Sequence, residues 1–387
     1  VPFIKFSDLY LKNKDEVLGA LDQVFSAGEL CLGEYGKDIK ELEAWFAEFI
    51  GVKHAIMVGS GTNALYLAYK AIGIGPGDEV ITTAHTFSAT FDQIVALGGI
   101  PIFVDIDSET GLIDPVEVEK AITPRTKAIV PVHLEGKMCD MQKICNLAIA
   151  HGIPVVEDAA QAINADLNGQ KAGAWGDLGC FSLYPAKIFG TLGNAGMVTT
   201  NDDELAYKVS MLRCNYRFEK NPEKIDYGFN FEPDNAWAAV LNIRKKYLPE
   251  YIKRRAEIAE MYDLGLLGLP IGLPLHQEGR VYQDYVIRIP DEKEEFLAYL
   301  RANEIGFLGH DAPYYPDYPK LNLKFDLPKT KLYLQQQVRI PCNPFLTDEE
   351  VEYVIEKIRE FYERTRLTNE NFNYGNRLYR FGATAAA

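Results

Sequence analysis

Between residues 54 and 200 the chain repeats one pattern, a short β-branched run followed by an amphipathic stretch, and this alternation limits its fold more than any other feature. His54-Ala55-Ile56-Met57-Val58 reads as a strand and Ser60-Gly61-Thr62 as a turn, after which Ala64, Leu65, Leu67, Ala68 and Ala71 recur at helical spacing. Gly73 stops that helix, and Gly75-Pro76-Gly77-Asp78 turns the chain before Glu79-Val80-Ile81-Thr82. Further strand-like runs follow at Ile102-Phe103-Val104, Ala128-Ile129-Val130-Pro131-Val132 and Pro154-Val155-Val156-Glu157-Asp158, each leading into a helical stretch. Alternation of this kind builds a mostly parallel sheet with helices on both faces. The predicted fold class is α/β.

Beyond Asn201 the texture changes. Residues 233–265 read as one long charged helical stretch interrupted at Pro249, with Arg244-Lys245-Lys246 and Lys253-Arg254-Arg255 on its faces. A strand from Tyr282 to Ile289, a helix over 292–303 and an aromatic, proline-rich segment from Pro313 to Pro319 follow. After Val338-Arg339-Ile340-Pro341, Thr347-Asp348-Glu349-Glu350 caps a last helix that runs to residue 363. The predicted division is a large domain over 1–245, a smaller α+β domain over 246–363, and a tail over 364–387 without hydrophobic periodicity.

The 40 basic residues stand against 55 acidic ones, a net charge of −15, which repels phosphate backbones and anionic lipid. The longest apolar candidate, Ile94 to Val104, is broken by Gly98-Gly99 and Pro101 and falls short of the roughly 20 residues that span a bilayer. Cysteines at 31, 139, 145, 180, 214 and 342 form no CxxC pair, which suits a reducing interior and argues against a disulfide framework or a metal cluster. With no signal-peptide pattern at the N-terminus, these readings predict a cytoplasmic enzyme with no metal and neither a nucleic-acid nor a membrane partner.

In open α/β sheets, ligands sit beyond the carboxyl ends of the strands. Four such ends carry polar groups. Ser60-Gly61-Thr62 opens a helix, where hydroxyls and backbone N–H groups hold a phosphate or simply cap the helix. His85 follows the next strand, and a lone histidine is usually structural. Asp158 ends a strand ahead of Ala159-Ala160-Gln161-Ala162, either as a cap or as a carboxylate facing a cationic ring nitrogen. Lys187 lies in Ser182-Leu183-Tyr184-Pro185-Ala186-Lys187, a turn followed by Gly190, Gly193 and Gly196. A desolvated lysine there loses proton affinity and becomes a nucleophile toward carbonyls. Together these are the parts of a pyridoxal phosphate site.

Their order and spacing resemble the DegT/DnrJ/EryC1/StrS aminotransferases, fold-type I enzymes that aminate keto groups on nucleotide-linked sugars. The resemblance runs from residue 25 to 362. It is carried by Gly59-Ser60-Gly61-Thr62-Asn63-Ala64-Leu65, Gly73-Ile74-Gly75-Pro76-Gly77-Asp78-Glu79-Val80, Glu157-Asp158-Ala159-Ala160-Gln161-Ala162 and Ser182 to Lys187. It implies that Lys187 forms the internal aldimine with pyridoxal 5′-phosphate, with pyridoxamine phosphate as the alternate form. Asp158 then meets the ring nitrogen, Gln161 lies near the phenolic oxygen, and His85 stacks on the ring. Ser60, Gly61, Thr62 and Ser182 hold the phosphate, and Asn230 reaches it from the neighbouring subunit of a homodimer with shared sites. L-Glutamate as amino donor and a keto sugar as acceptor are implied likewise.

Three stretches depart from the family pattern. His133-Leu134-Glu135-Gly136 has an acid where an aromatic is usual, Asn230-Phe231-Glu232 lacks the usual arginine, and Gln283 stands where a histidine is usual. All three fall where substrate rather than cofactor is expected. The rival readings are a sugar dehydratase on the same fold, whose members replace the lysine by histidine, and a non-catalytic regulatory homologue. Lys187 argues against the first, and Lys187, Asp158 and Ser182 together against the second.

Overall fold

The computed structural model describes residues 1–30, 36–309, 315–317 and 325–369, with side chains as far as Arg364. The alternating segment forms β1 (His54–Val58), β2 (Glu79–Thr83), β3 (Ile100–Val104), β4 (Thr126–Ile129), β5 (Val156–Asp158), a small hairpin of β6 (Asp166–Leu167) and β7 (Gln170–Lys171), then β8 (Leu178–Ser182) and β9 (Gly196–Thr200). Parallel pairing joins β3–β2–β4 and β5–β8. Parallel bridges from Ile129 to Val155 and from Val132 to Asp158 stitch the two groups together. β9 runs antiparallel between β8 and β1. The order among the described residues is therefore β3–β2–β4–β5–β8–β9–β1, mostly parallel as the sequence predicts, with β9 reversed.

Successive strand residues face opposite sides, which is why the strands are continuously apolar. Met57, Ile81 and Phe181 enter the core on one face with Phe46 and Leu241, while their neighbours Val58, Val80 and Cys180 enter the core on the other with Leu67 and Phe91. A third core lies further along the chain, where β10 (Tyr285–Arg288) pairs antiparallel with β11 (Gln337–Ile340) and is covered by helices Lys293–Ala302 and Asp348–Asn369.

Strand and helix ends shift by a few residues from the predicted ones, and larger differences appear elsewhere. The stretch 233–265 is two helices, Asn235–Arg244 and Leu248–Gly265, and Pro249 lies in the first turn of the second, where its missing N–H costs nothing. Arg244 accordingly ends the first helix and is buried, donating to the Gly190 and Leu9 carbonyls instead of facing solvent. The second helix bridges two cores, Leu248 entering the first and Ile258, Tyr262 and Leu266 the third. The first residue bonds to the turn that follows helix Lys293–Ala302. The Val1 amine donates to the Glu304 carbonyl at 2.6 Å and Gly306 N–H returns to the Val1 carbonyl at 2.8 Å. The last helix starts with a reciprocal cap, Thr347 Oγ1 accepting from Glu350 N–H at 3.2 Å and Glu350 Oε2 from Thr347 N–H at 2.9 Å. It continues past 363 to Asn369, because elongating a formed helix needs no apolar stripe of its own. The rest of the predicted tail, 370–387, lies outside the described residues. No helix among those described is long and apolar enough to cross a membrane.

Candidate active site

A cavity of about 950 Å³ opens beyond the carboxyl ends of β2, β5 and β8. Its wall includes Ser60, Gly61, Thr62, His85, Asp158, Gln161, Ser182 and Lys187, so eight predicted site residues from four separated motifs meet in one space. Ile305 to Gly309 and Arg339 close it from the third core. That volume is at the upper end for small-molecule pockets, enough for a cofactor and a sizeable substrate together. Asn230 does not line it; the residue is exposed and pairs through its backbone with Cys214.

The turn after β1 is both a cap and a cradle. Ser60 Oγ accepts the Asn63 N–H at 3.1 Å, the capping role, and leaves the N–H groups of Gly61 and Thr62 uncapped at the cavity wall. Gly61 is required there, since a Cβ on it would lie 2.8 Å from Ser182 Cβ. The helix start and the end of β8 thus come together with hydroxyls and N–H groups only, a donor set suited to phosphate.

Asp158 is 5% exposed. Thr90 Oγ1 donates to its Oδ2 at 2.7 Å and Ala160 N–H to its Oδ1 at 3.2 Å. Burial raises its pKa despite those bonds and the charges of Lys187 and His133. Thr90 is not among the candidates above; it lies in the first turn of helix Ala89–Ala96, and its hydroxyl meets that of Thr86, which precedes the helix, at 2.6 Å. Lys187 is half-buried, with its N–H bonded to the Tyr184 carbonyl at 2.9 Å. Burial lowers its pKa, partly offset by Asp284 and Asp158, which is the state an amine nucleophile needs.

His85 is 2% exposed, and its edges are engaged: Nδ1 is 2.7 Å from the Gly111 carbonyl and Nε2 3.2 Å from the Gln337 side-chain oxygen. Its ring lies against Tyr333 at 4.8 Å, and burial holds its pKa down. Phe87, two residues on, lines the same cavity and is 70% exposed. Gln161 Oε1 accepts the Glu135 N–H at 2.7 Å, which fixes the amide and leaves its NH₂ group for the cavity.

The three departures are each accommodated by specific contacts. Glu135 is fully buried at φ 61° and pairs with Lys137 at 2.8 Å. The cations around it pull its pKa down to about 2 against the opposing effect of burial. Glu232 is held by both oxygens on Arg217 Nη2, at 2.7 and 2.6 Å. Gln283 bonds to the backbone on either side of Lys187. Within the aromatic segment Tyr315 is buried against Phe91 at 4.6 Å, a packing role, while Tyr314 and Tyr318 lie outside the described residues. Of the cysteines, 139, 145, 180, 214 and 342 are free thiols; burial raises the pKa of Cys145, Cys180, Cys214 and Cys342, and Cys31 lies outside the described residues.

The profile of the DegT/DnrJ/EryC1/StrS aminotransferase family matches residues 12–359. The chain belongs to this family. Among its relatives, a "Pleiotropic regulatory protein" of Geobacillus stearothermophilus is 39% identical over 371 residues, covering 94% of this chain and 98% of the relative. A dTDP-3-amino-3,4,6-trideoxy-alpha-D-glucose transaminase of Streptomyces venezuelae is 37% identical over 375 residues, covering 94% and 97%. The crystal structure of S. venezuelae DesV in complex with a ketimine intermediate superposes with a TM-score of 0.89 at 36% identity, covering 94% of this chain and 99% of DesV. The family members are pyridoxal phosphate enzymes of fold-type I, and the α/β sheet described above is theirs.

Proposed function

We propose that this protein is an aminotransferase that takes an amino group from an amino acid, L-glutamate by family habit, and gives it to the ketone of a nucleotide-linked sugar. The observation that carries the reading is the convergence of Lys187, Asp158 and the Ser60–Thr62 turn on one cavity. These residues fit pyridoxal phosphate: a glycine cradle with uncapped N–H groups for the phosphate, and a buried carboxylate on the cavity wall for the ring nitrogen. When bound, the cofactor supplies the carbonyl that captures the amine and a ring that withdraws electrons from the reacting carbon.

The chain's own groups supply the rest. Lys187 Nζ, its proton affinity lowered by burial, holds the cofactor and then carries a proton to and from the reacting carbon. Asp158 keeps the ring nitrogen protonated through a charge-assisted bond, oriented by Thr90. The NH₂ group of Gln161, on the cavity wall, would meet the phenolic oxygen of the bound cofactor. The stacking role falls to Phe87 rather than His85, since an apolar ring exposed inside a cavity gains from being covered and His85 is already packed and bonded. Asn230, exposed and away from the cavity of its own chain, serves the site of a second copy, in a homodimer.

Mixing the pyridoxal phosphate form with L-glutamate tests the reading. Loss of the yellow absorbance with stoichiometric 2-oxoglutarate is expected. A second reading, a regulatory homologue, is favoured by the name of the G. stearothermophilus relative; it predicts a yellow protein that L-glutamate and other amino acids leave unchanged.

A further inference from the structure

The cavity is roofed by Ile305 to Gly309, a stretch that leaves helix Lys293–Ala302 through Glu304, where a φ of 54° turns the chain. One edge of this roof is pinned by the paired backbones of Leu308 and Arg339, at 2.7 and 3.1 Å. The other edge is held by the first residues of the chain. The Val1 nitrogen donates to the Glu304 carbonyl at 2.6 Å and the Val1 carbonyl accepts the Gly306 N–H at 2.8 Å, the two bonds that a parallel strand neighbour makes around Ile305. Pro2 biases Val1 toward the extended conformation this pairing needs. Gly306 is required at the contact, because the three atoms nearest to a Cβ on it all belong to Phe3, the closest being its nitrogen at 2.5 Å. The attachment continues through the next residues. The Phe3 carbonyl accepts Asn343 Nδ2 at 3.2 Å, and Lys5 Nζ donates to the Phe345 carbonyl at 3.1 Å and to Glu350 Oε2 at 2.7 Å.

The same segment reaches the lysine turn at its other end. In helix Phe6–Leu11 the Leu9 carbonyl accepts Arg244 Nη2 at 3.3 Å, while Arg244 Nη1 donates to the carbonyl of Gly190 in the turn that carries Lys187. Arg244 is 2% exposed, so water is a poor substitute for either bond. Residues 1–9 therefore run from the roof to the Lys187 turn, although none of them lines the cavity. Within the roof Ile305 and Phe307 pack toward the third core, whereas Gly306, Leu308 and Gly309 contribute no buried side chain. The backbone bonds to Val1 and Arg339 accordingly set where the roof sits.

We propose that residues 1–9 are a positioning strap for the reaction, holding the cavity roof in register with the Lys187 turn so that substrate enclosed between them is presented to the amine. The role in catalysis rests on the aminotransferase reading, and the mechanical role on the backbone contacts alone.

Three variants test it: a chain lacking residues 1–4, Gly306→Ala, which drives a methyl group into Phe3, and the two changes combined. Hydrogen exchange at the Leu308 and Arg339 amides is measured without cofactor. The pyridoxal phosphate forms are then titrated with L-glutamate to find the concentration that half-saturates loss of the yellow absorbance. Either single change is expected to speed exchange at both amides about tenfold and to raise the half-saturating concentration roughly tenfold, with cofactor uptake unchanged. Gly306→Ala should add nothing to the truncated chain, where its methyl group no longer meets Phe3. Exchange at the wild-type rate overturns the strap, as does faster exchange with an unchanged half-saturating concentration, or a combination whose effects add. Should the truncated chain not fold, Gly306→Ala decides by the same two readings. A wild type that L-glutamate leaves yellow refutes the aminotransferase reading, and the exchange rates then decide the strap by themselves.

Discussion

The side-chain amide of Gln283 grips the backbone on both sides of Lys187: its Oε1 accepts the Ile188 N–H at 3.0 Å and its Nε2 donates to the Ala186 carbonyl at 2.9 Å. Gln283 is itself held, because Arg255 Nη1 donates to its carbonyl at 3.0 Å and to those of Tyr282 and Cys342 at 2.9 and 2.6 Å. The reactive lysine is thereby registered against the third core, from which Arg339 also reaches the cavity. A glutamine performs this with one donor and one acceptor on a single planar group, which explains how the chain dispenses with the usual histidine here.

Gln283→Leu therefore strands the buried Ile188 N–H, at about 1–3 kcal/mol, and the part-buried Ala186 carbonyl, at less. A lowered melting temperature is expected, together with a fall of roughly tenfold in the rate of the donor half-reaction, since misplacing a reacting group is costly. Stopped-flow absorbance with L-glutamate reads the second effect. An unchanged rate in a destabilised protein would make Gln283 structural only.

Removing Glu135 leaves Lys137 buried without its counter-ion. Glu135→Gln is expected to cost about 3–5 kcal/mol in urea unfolding at neutral pH, and adding Lys137→Met to recover most of it.

The same residue sets a pH dependence. Its carboxyl is held at about 2 in the folded protein, below the ordinary value, so its contribution is fully present above that ordinary value, near pH 4.5, and is lost as pH falls toward 2. The stability difference between wild type and Glu135→Gln should shrink steadily over that window. A difference independent of pH would contradict the ionic origin.

Phe87→Ala should weaken pyridoxal phosphate binding about tenfold, the share of an aromatic contact and its buried area, as measured by equilibrium dialysis. His85→Phe should leave that affinity nearly unchanged while lowering the melting temperature, because its bonds run to Gly111 and Gln337. The opposite pattern would restore the stacking role to His85.

Much of this was legible in the chain because local chemistry decided it. The strands announce themselves by apolar runs, the phosphate turn by Ser60-Gly61-Thr62 and the nucleophile by a lysine among glycines and prolines. What escaped was set by tertiary contact. Thr90 looks like any residue of an amphipathic helix until β5 brings Asp158 to its hydroxyl. The sequence separates Gln283 from Lys187 by nearly a hundred positions, and only packing of the third core against the large sheet makes them neighbours. Val1 pairs with the backbone at Glu304 and Gly306, a long-range match without local signature. The helix past residue 363 has no sequence signal for the reverse reason, since its charged continuation follows from a turn already formed.

The central claim is that Lys187 carries the cofactor, and one measurement tests it directly. The protein is incubated with pyridoxal phosphate, reduced with borohydride, digested and mapped by mass spectrometry. A single phosphopyridoxyl adduct is expected on the peptide containing Lys187, and none there if L-glutamate is added before reduction. An adduct spread over surface lysines, or one on Lys187 that L-glutamate does not prevent, would contradict it.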